Sequence, residues 1–301
     1  MSSESDYSLL EFMAEFPDDE SCLVWLWRNR HSPDGTTADC PKCAKAQSFA
    51  RYSTAQQRQS WTCTACGHHI HPTAGTVFHK SSTSLHLWFY AMYLMTSTRC
   101  GISAKQLERE LGVTYKTAWR MAYLIRNKLM VQDAGPLQGG GAIEMDEMYV
   151  GGYQRKVGRP TIETSNKTPV FGMVQRRGKV WAAPVRSVRG ETLLPHVIER
   201  VLPGALIYTD ELASYDALDN TTRKYTHHRV KHAERVYVSG DVHTNTIEGF
   251  WSLVKRGIDG VYHSVSRKHL QGYLNEYVWR YNQRLEPRGR FQLLLLRTTV
   301  A

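Results

Sequence analysis

The chain has 301 residues, 42% of them hydrophobic and 22% charged, which excludes a disordered tail and fits two or three modest folded domains. Its net charge of +10 favours polyanionic partners, nucleic acid before anionic membrane. No apolar run reaches the roughly 18 residues of a membrane span, and the acidic, polar start Met1-Ser2-Ser3-Glu4-Ser5-Asp6 is no secretory signal, so nucleic acid, no membrane and a cytoplasmic location are expected.

Residues 7–30 carry apolar positions at helical spacing in two runs, Leu9 to Phe16 and Cys22 to Leu26, parted by Pro17-Asp18-Asp19. Asp18 or Asp19 is the expected N-cap of the second helix. Residues 31–79 are rich in Cys, Gly, Thr and His, with short strand-like pieces such as Ser60-Trp61-Thr62. That is the texture of a small domain stapled by metal. Residues 83–99 read as one helix and 103–130 as two, around Leu111-Gly112-Val113-Thr114. Val131 to Gly141, with Gly135-Pro136 and Gly139-Gly140-Gly141, reads as a linker.

Strands follow. Ala142–Tyr149 is the first, and Pro169–Gln175 with Lys179–Val185 predict a hairpin across Arg176-Arg177-Gly178. Residues 192–202 have helical spacing, 205–209 and 226–230 read as short strands, and two helices, near 244–256 and 267–284, end the chain. The polar, basic segment Tyr153 to Thr168 reads as a mobile loop. The order predicts an α/β domain with a mixed sheet. The divisions are an N-terminal helical segment (1–35), a zinc ribbon (36–80), a helical region (81–132), a linker (133–141) and the α/β domain (142–301).

Cys40-Pro41-Lys42-Cys43 and Cys63-Thr64-Ala65-Cys66 are two C-x2-C knuckles separated by 19 residues. Each supplies two thiolates on a tight turn, and together they close a tetrahedral site for one structural Zn²⁺. Gly67 lets the backbone turn toward the metal. His68, His69 and His71 are nearby alternatives that four cysteines make unnecessary. Cys22 and Cys100 stand alone and read as small buried hydrophobes.

Gly101 to Met121 fits a helix–turn–helix. Ser103 and Thr114 cap the two helices, Gly112 makes the turn, and Ala104, Leu107, Leu111, Ala118 and Met121 face inward. Tyr115, Lys116, Thr117 and Arg120 face out, where a recognition helix meets DNA. Many helical hairpins share the pattern without touching DNA, and Lys116 and Arg120 fit solvated surface charges equally well.

Three acids complete the reading. Asp146 lies in Ile143-Glu144-Met145-Asp146-Glu147, Asp210 ends Ala205-Leu206-Ile207-Tyr208-Thr209, and Glu248 opens a helical stretch that Thr244 or Asn245 can cap. Any one of them alone fits a turn or cap. Two acids at strand ends and one on a helix, in a basic protein, form an arrangement that holds two Mg²⁺ ions for phosphodiester chemistry. Lys255 lies two turns beyond Glu248 on the same face, with Arg256 beside it, suited to a DNA phosphate. Glu147 adjoins Asp146 but points to the opposite face of a strand, which argues against it as a ligand. Glu211 and Asp241 are reserves.

These motifs carry a resemblance. Cys40-Pro41-Lys42-Cys43, Thr73-Ala74-Gly75-Thr76-Val77-Phe78-His79, Tyr115 to Met121, Asp146-Glu147-Met148-Tyr149-Val150-Gly151-Gly152 and His243-Thr244-Asn245-Thr246-Ile247-Glu248-Gly249-Phe250-Trp251-Ser252 resemble IS1595-type insertion-sequence transposases with the ISXO2-like catalytic domain. The resemblance implies an RNase H-like fold behind a zinc ribbon, and an acidic triad using Mg²⁺ or Mn²⁺. Carried over, the triad is Asp146, Asp210 and Glu248, with Lys255 as the associated basic residue and Asn245 as the alternative third position. It also implies strand cleavage and strand transfer on double-stranded DNA (element ends and target) by a homodimer or larger assembly at the nucleoid. A non-enzymatic DNA-binding regulator built on the same N-terminal modules, a nuclease that never joins strands and an inactive derivative are the rivals.

Overall fold

The computed structural model describes residues 7–53, 59–133, 135–137, 141–151, 167–230, 243–286 and 289–300. The chain divides into two units, residues 1–129 together with 286–301, and residues 130–285.

In the first unit, α1 (Leu9–Glu15) and α2 (Asp19–Arg30) each open on a capping box, Ser8 with Glu11 and Asp18 with Ser21. Asp19 is thereby free for another task. Its carboxylate accepts from Ser84 Oγ at 2.5 Å and from the His86 amide at 2.8 Å, at the start of α3 (Leu85–Ser97).

Between these helices β1 (Thr37–Cys40), β2 (Lys45–Ser53), β3 (Gln59–Cys63) and β4 (His69–Ile70) form an antiparallel sheet in chain order. The knuckles follow β1 and β3. In each, the residue after the second cysteine takes a positive φ, Ala44 at 53° and Gly67 at 71°, and its amide donates to the carbonyl of the first cysteine. Cys40, Cys43, Cys63 and Cys66 offer sulfurs that all lie within 4.8 Å of one another. The 3.5 Å Cys40–Cys66 and 4.0 Å Cys43–Cys63 separations bracket the spacing of about 3.8 Å between ligands of a tetrahedral zinc thiolate site. None of the three histidines joins them; His69 Nδ1 bonds Thr62 Oγ1 at 2.9 Å instead. The small core beside the knuckles is built on Leu23, Trp27, Phe49 and Trp61, with the two indoles stacked 4.7 Å apart. Arg51 lies over the Trp61 ring at 4.5 Å and is held by Glu20.

α4 (Ala104–Leu111), capped by Ser103, stops at Gly112, whose φ of 63° is the left-handed C-cap the sequence pattern anticipates. α5 (Tyr115–Leu124) starts at the Thr114 cap and passes into a π-helical turn, Ile125–Leu129. Leu107, Leu111, Ala118 and Met121 are buried, Tyr115, Lys116 and Arg120 are exposed, and Thr117 is half-buried. Cys22 is buried, whereas Cys100 is only half-buried.

The sequence pattern ends the chain with two helices; the structure adds a third, α9 (Arg290–Leu296), within the first unit. It packs on α3, and its Phe291 sits among Phe12, Phe16 and Tyr93.

In the second unit, β5 (Ile143–Val150), β6 (Thr168–Gln175), β7 (Val180–Pro184), β8 (Leu206–Thr209) and β9 (Thr226–Arg229) form a mixed sheet of order β7-β6-β5-β8-β9. β5–β6 and β6–β7 are antiparallel; β5–β8 and β8–β9 are parallel. Parity assigns the faces. Ile143 and Met145 pack with α6 (Gly190–Arg200) and the 3₁₀ turn Ala213–Leu218, and Met148 and Val150 pack with α7 (Asn245–Gly257) and α8 (Leu270–Asn282). The predicted linker is partly structure: Leu137 is buried and bridges Val201, and Gln132 pairs with Ala182 of β7 through both its amide atoms. The basic segment read as a loop falls on residues 152–166, outside the described residues, except that Lys167 precedes β6 and Thr168 opens it.

Gly172, opposite Asp146 in the β5–β6 ladder, faces Trp251 of α7. A Cβ at this position would stand 2.5 Å from the Trp251 ring. Gly172→Ala is therefore expected to lower stability by about 1–3 kcal/mol in urea denaturation, because the buried indole must move. For the ribbon, atomic absorption is expected to find one zinc per wild-type chain and none in Cys63→Ser. Amide exchange should then rise across β1–β4 and stay unchanged in β5–β7.

Candidate active site: a carboxylate cluster beside the central strand

β5 is the middle strand of its sheet, and its register with β8 ends early, at Ile143–Ile207 and Glu144–Tyr208. Asp210 follows immediately after β8, where its carboxylate accepts from the Leu212 amide at 3.0 Å. The approach to Asp210 is braced by buried Thr209, whose hydroxyl donates to the Asp210 carbonyl and pairs with His227 Nε2 at 2.9 Å, while His227 Nδ1 meets Asp219.

Asp146, Glu147 and Asp210 each bring a carboxylate oxygen within 4.8 Å of the others. Strand parity argues against Glu147 in this group, and the structure corrects that. Glu147 does leave β5 on the α6 face, where Tyr215 donates to it at 2.9 Å. Asp210, however, lies past the end of its strand and is confined to neither face, so acids from both faces of β5 reach it. Tyr215 is almost wholly buried, and its hydroxyl, which no local sequence pattern marks, orients Glu147.

Glu248 sits in the first turn of α7, behind the N-cap Thr244. The Thr244 hydroxyl does not cap the helix; it donates to Glu248 Oε1 at 2.8 Å. Glu248 is outside the tight group, yet its charge acts on Asp146. Burial, then the negative charge of Glu147, then those of Asp210 and Glu248 push the Asp146 carboxyl up to about 7. Burial and the charge of Asp210 also raise Glu147. An oxygen-only set so crowded that it resists ionising is a fit for hard divalent cations such as Mg²⁺ or Mn²⁺. Of the reserves, Glu211 is exposed and outside the group, and Asp241 falls outside the described residues. Asn245 opens α7 as an exposed residue.

Glu248, Ser252, Lys255, Arg256, Asp259 and Gly260 line an open cavity of about 670 Å³. The spacing of Glu248 and Lys255 on one helix face is thus realised. The π-helical turn Ile258–Tyr262 that continues α7 adds Asp259 and Gly260 to the lining.

One acid of the Ile143–Glu147 run was not singled out by its pattern. Glu144 is fully buried and touches the α7 terminus rather than the cluster. Its Oε1 accepts from Arg176 Nε at 2.6 Å and Thr246 Oγ1 at 2.8 Å, and its Oε2 from the amides of Thr246 at 2.7 Å and Ile247 at 3.0 Å.

Residues 136–282 match the family described as the ISXO2-like transposase domain. The chain is 32% identical over 253 residues to a Halobacterium salinarum protein described as "Uncharacterized protein in transposable element ISH50", covering 79% of this chain and 83% of that protein. It is 34% identical over 104 residues to a Haemophilus influenzae "transposase-like protein", covering 35% of this chain and 81% of that one. Among solved structures, a pre-cleavage Mos1 transpososome is 12% identical, covers 69% of this chain and 76% of its own, and has a TM-score of 0.26. The Mos1 strand transfer complex is 11% identical, with 67% and 78% covered and a TM-score of 0.25. The chain belongs to the ISXO2-like transposase family.

The raised Asp146 carboxyl has a stability consequence. A carboxyl that holds its proton more tightly when folded stabilises the chain below its unfolded value near 3.8, and that contribution is lost as pH rises through about 7. In EDTA, urea denaturation is therefore expected to show Asp146→Asn gaining on wild type between pH 4 and pH 8. The gain should reach on the order of 1–4 kcal/mol, the lower part if the neighbouring acids relax.

Proposed function

We propose that the protein is a DNA transposase that binds the ends of an insertion sequence and cuts and joins DNA strands at the Asp146 cluster. The observation that carries this reading is the convergence of Asp146, Glu147 and Asp210, with the charge of Glu248 felt at Asp146. Asp146, Asp210 and Glu248 are the proposed holders of two Mg²⁺ or Mn²⁺ ions, and Glu147, steadied by Tyr215, is a fourth carboxylate within reach. Bound there, such ions would supply an activated water or DNA 3′-hydroxyl and neutralise charge on the leaving oxygen. The acids themselves bind and orient; none is needed as a proton donor.

The sheet order β7-β6-β5-β8-β9, three antiparallel strands followed by two parallel ones, supports an RNase H-like domain. Lys255 and Arg256, on the cavity beside Glu248, would take backbone phosphates. Terminal-repeat recognition falls to the ribbon and to α4–α5 as a helix–turn–helix, with Tyr115, Lys116, Thr117 and Arg120 on the DNA. The exposure of Tyr115, Lys116 and Arg120 supports this. Contacts of this kind make binding fall steeply with salt. Two element ends must meet for joining, so a homodimer or larger assembly acts at the nucleoid. Among the described residues no helix is long and apolar enough to cross a membrane.

The test is cleavage and joining of labelled element-end DNA by wild type and Asp210→Asn, with Mg²⁺ or with EDTA. Metal-dependent joining by wild type, reduced at least about a thousandfold in Asp210→Asn with DNA binding kept, is expected. Equal binding by both proteins with no cleavage by either would replace the transposase with a DNA-binding regulator.

A further inference from the structure

We infer that Glu144 is a positioning residue: its buried carboxylate fixes the first turn of α7, and through that turn the place of Glu248 relative to Asp146. The inference rests on the transposase reading for its consequence, and on geometry for its substance. Glu144 and Asp146 are two residues apart on β5 and share the face that α7 covers. The strand that carries Asp146 is therefore bonded directly to the helix turn that carries Glu248.

α7 has no side-chain cap of its own, because the Thr244 hydroxyl is turned to Glu248. Its first free amides would be left without partners beneath the sheet. Glu144 meets two of them, at Thr246 and Ile247, and adds negative charge where the helix dipole favours it. Arg176 closes the arrangement: Nε donates to Glu144, and Nη2 donates to the His243 carbonyl at 2.9 Å, just before the helix. His243 Nδ1 is 3.4 Å from Glu144 Oε1, a further positive neighbour when protonated. Glu144 thus binds α7 from its cap side and its first turn at once.

Glutamine cannot replace it. One oxygen faces two backbone N–H groups, and the other faces the Arg176 Nε–H as well as the Thr246 hydroxyl. An amide NH₂ in either place opposes a donor that cannot turn away. The helix end would lift, and Glu248, which lies within four residues of the bonded amides, would move with it.

The experiment uses full-length Glu144→Gln, Glu248→Gln and the double variant, with Mn²⁺ as the probe. Amide exchange at Thr246 and Ile247 is expected to quicken at least about tenfold in Glu144→Gln, as the NH₂ set against a donor in either orientation loosens the helix end. Mn²⁺ affinity, read by electron paramagnetic resonance, should fall about tenfold in Glu144→Gln and not at all when the same change is made in Glu248→Gln. Turnover on saturating element-end DNA should drop about a hundredfold while the DNA Kd stays within about twofold. Unchanged exchange overturns the inference. So does an Mn²⁺ loss of the same size in both backgrounds, which would mean that Glu144 acts through the fold at large. A wild type that cuts no DNA overturns the transposase reading alone, and exchange and Mn²⁺ affinity then decide for Glu144. If Glu144→Gln does not fold, Arg176→Lys, which keeps the charge but loses the Nε–H and Nη2 donors, is read by the same measures with the same directions.

Discussion

A carboxylate fully withdrawn from water is among the costlier things a fold can hold, and Glu144 is tolerable only because four donors converge on its two oxygens. Two of the donors are helix-end amides that would otherwise lack partners. Burying the acid and starting the helix are therefore one event, satisfied together or not at all. Further along α7 lie the Lys255 and Arg256 pair and the Trp251 ring laid against Gly172. The glycine and the buried acid act at different points along the same helix. One sets where its end is tied, the other how closely its body approaches the sheet.

The sheet is protected by similar means. β7 is an edge strand, and an open edge invites pairing with another chain. Here its outward backbone groups meet side-chain amides: Gln132 pairs with both N–H and C=O of Ala182, and Asn282 does the same for Val180. Each amide imitates a strand's donor and acceptor without offering a further edge. Gln132 lies in a stretch whose Gly and Pro content suggests a linker, and Asn282 ends α8. Both segments are thereby bound to the sheet, so residues that look like connections belong to the second unit's framework.

What was legible in the sequence follows from what is local. The caps Ser103 and Thr114 are read from residue type and the period beside them, and of the two candidates Asp18 and Asp19 the structure selects Asp18. The cysteine knuckles are legible because their spacing is set by the turn that a metal site needs. The strands carrying Asp146 and Asp210 stand out as short apolar runs ended by acids. The misses are all long-range. Glu144 meets α7 across 102 residues of sequence, and nothing near it distinguishes a cap from an ordinary strand acid. Glu147 was set aside by the alternation of strand side chains, a rule that holds inside a ladder. The alternation itself holds for Glu147, but Asp210 lies past the end of β8, where acids from both faces come within reach of it. α9 escapes notice because Leu293 to Leu296 is a continuous apolar run without helical period, made a helix by its packing on α3.

The separation of charge within the second unit bears on how DNA can be engaged. The protein is basic as a whole, yet its acids are gathered at β5 and β8 while Lys255 and Arg256 stand on the adjoining helix face. On the proposed reading, a polyanion drawn in by the net positive field would meet Lys255 and Arg256 beside a cluster that repels it. Burial first, and then the charges of Glu147, Asp210 and Glu248, already push the Asp146 carboxyl up to about 7. Divalent cations held by these carboxylates would, on the same reading, relieve the repulsion among them and would attract a phosphate. DNA at Asp146 and metal in the carboxylate cluster would then favour each other, because the cations offset the negative charge of both the acids and the phosphate. Lys255 and Arg256 would hold a backbone near the site, while the charge of the acids would oppose a phosphate at Asp146 until cations fill them.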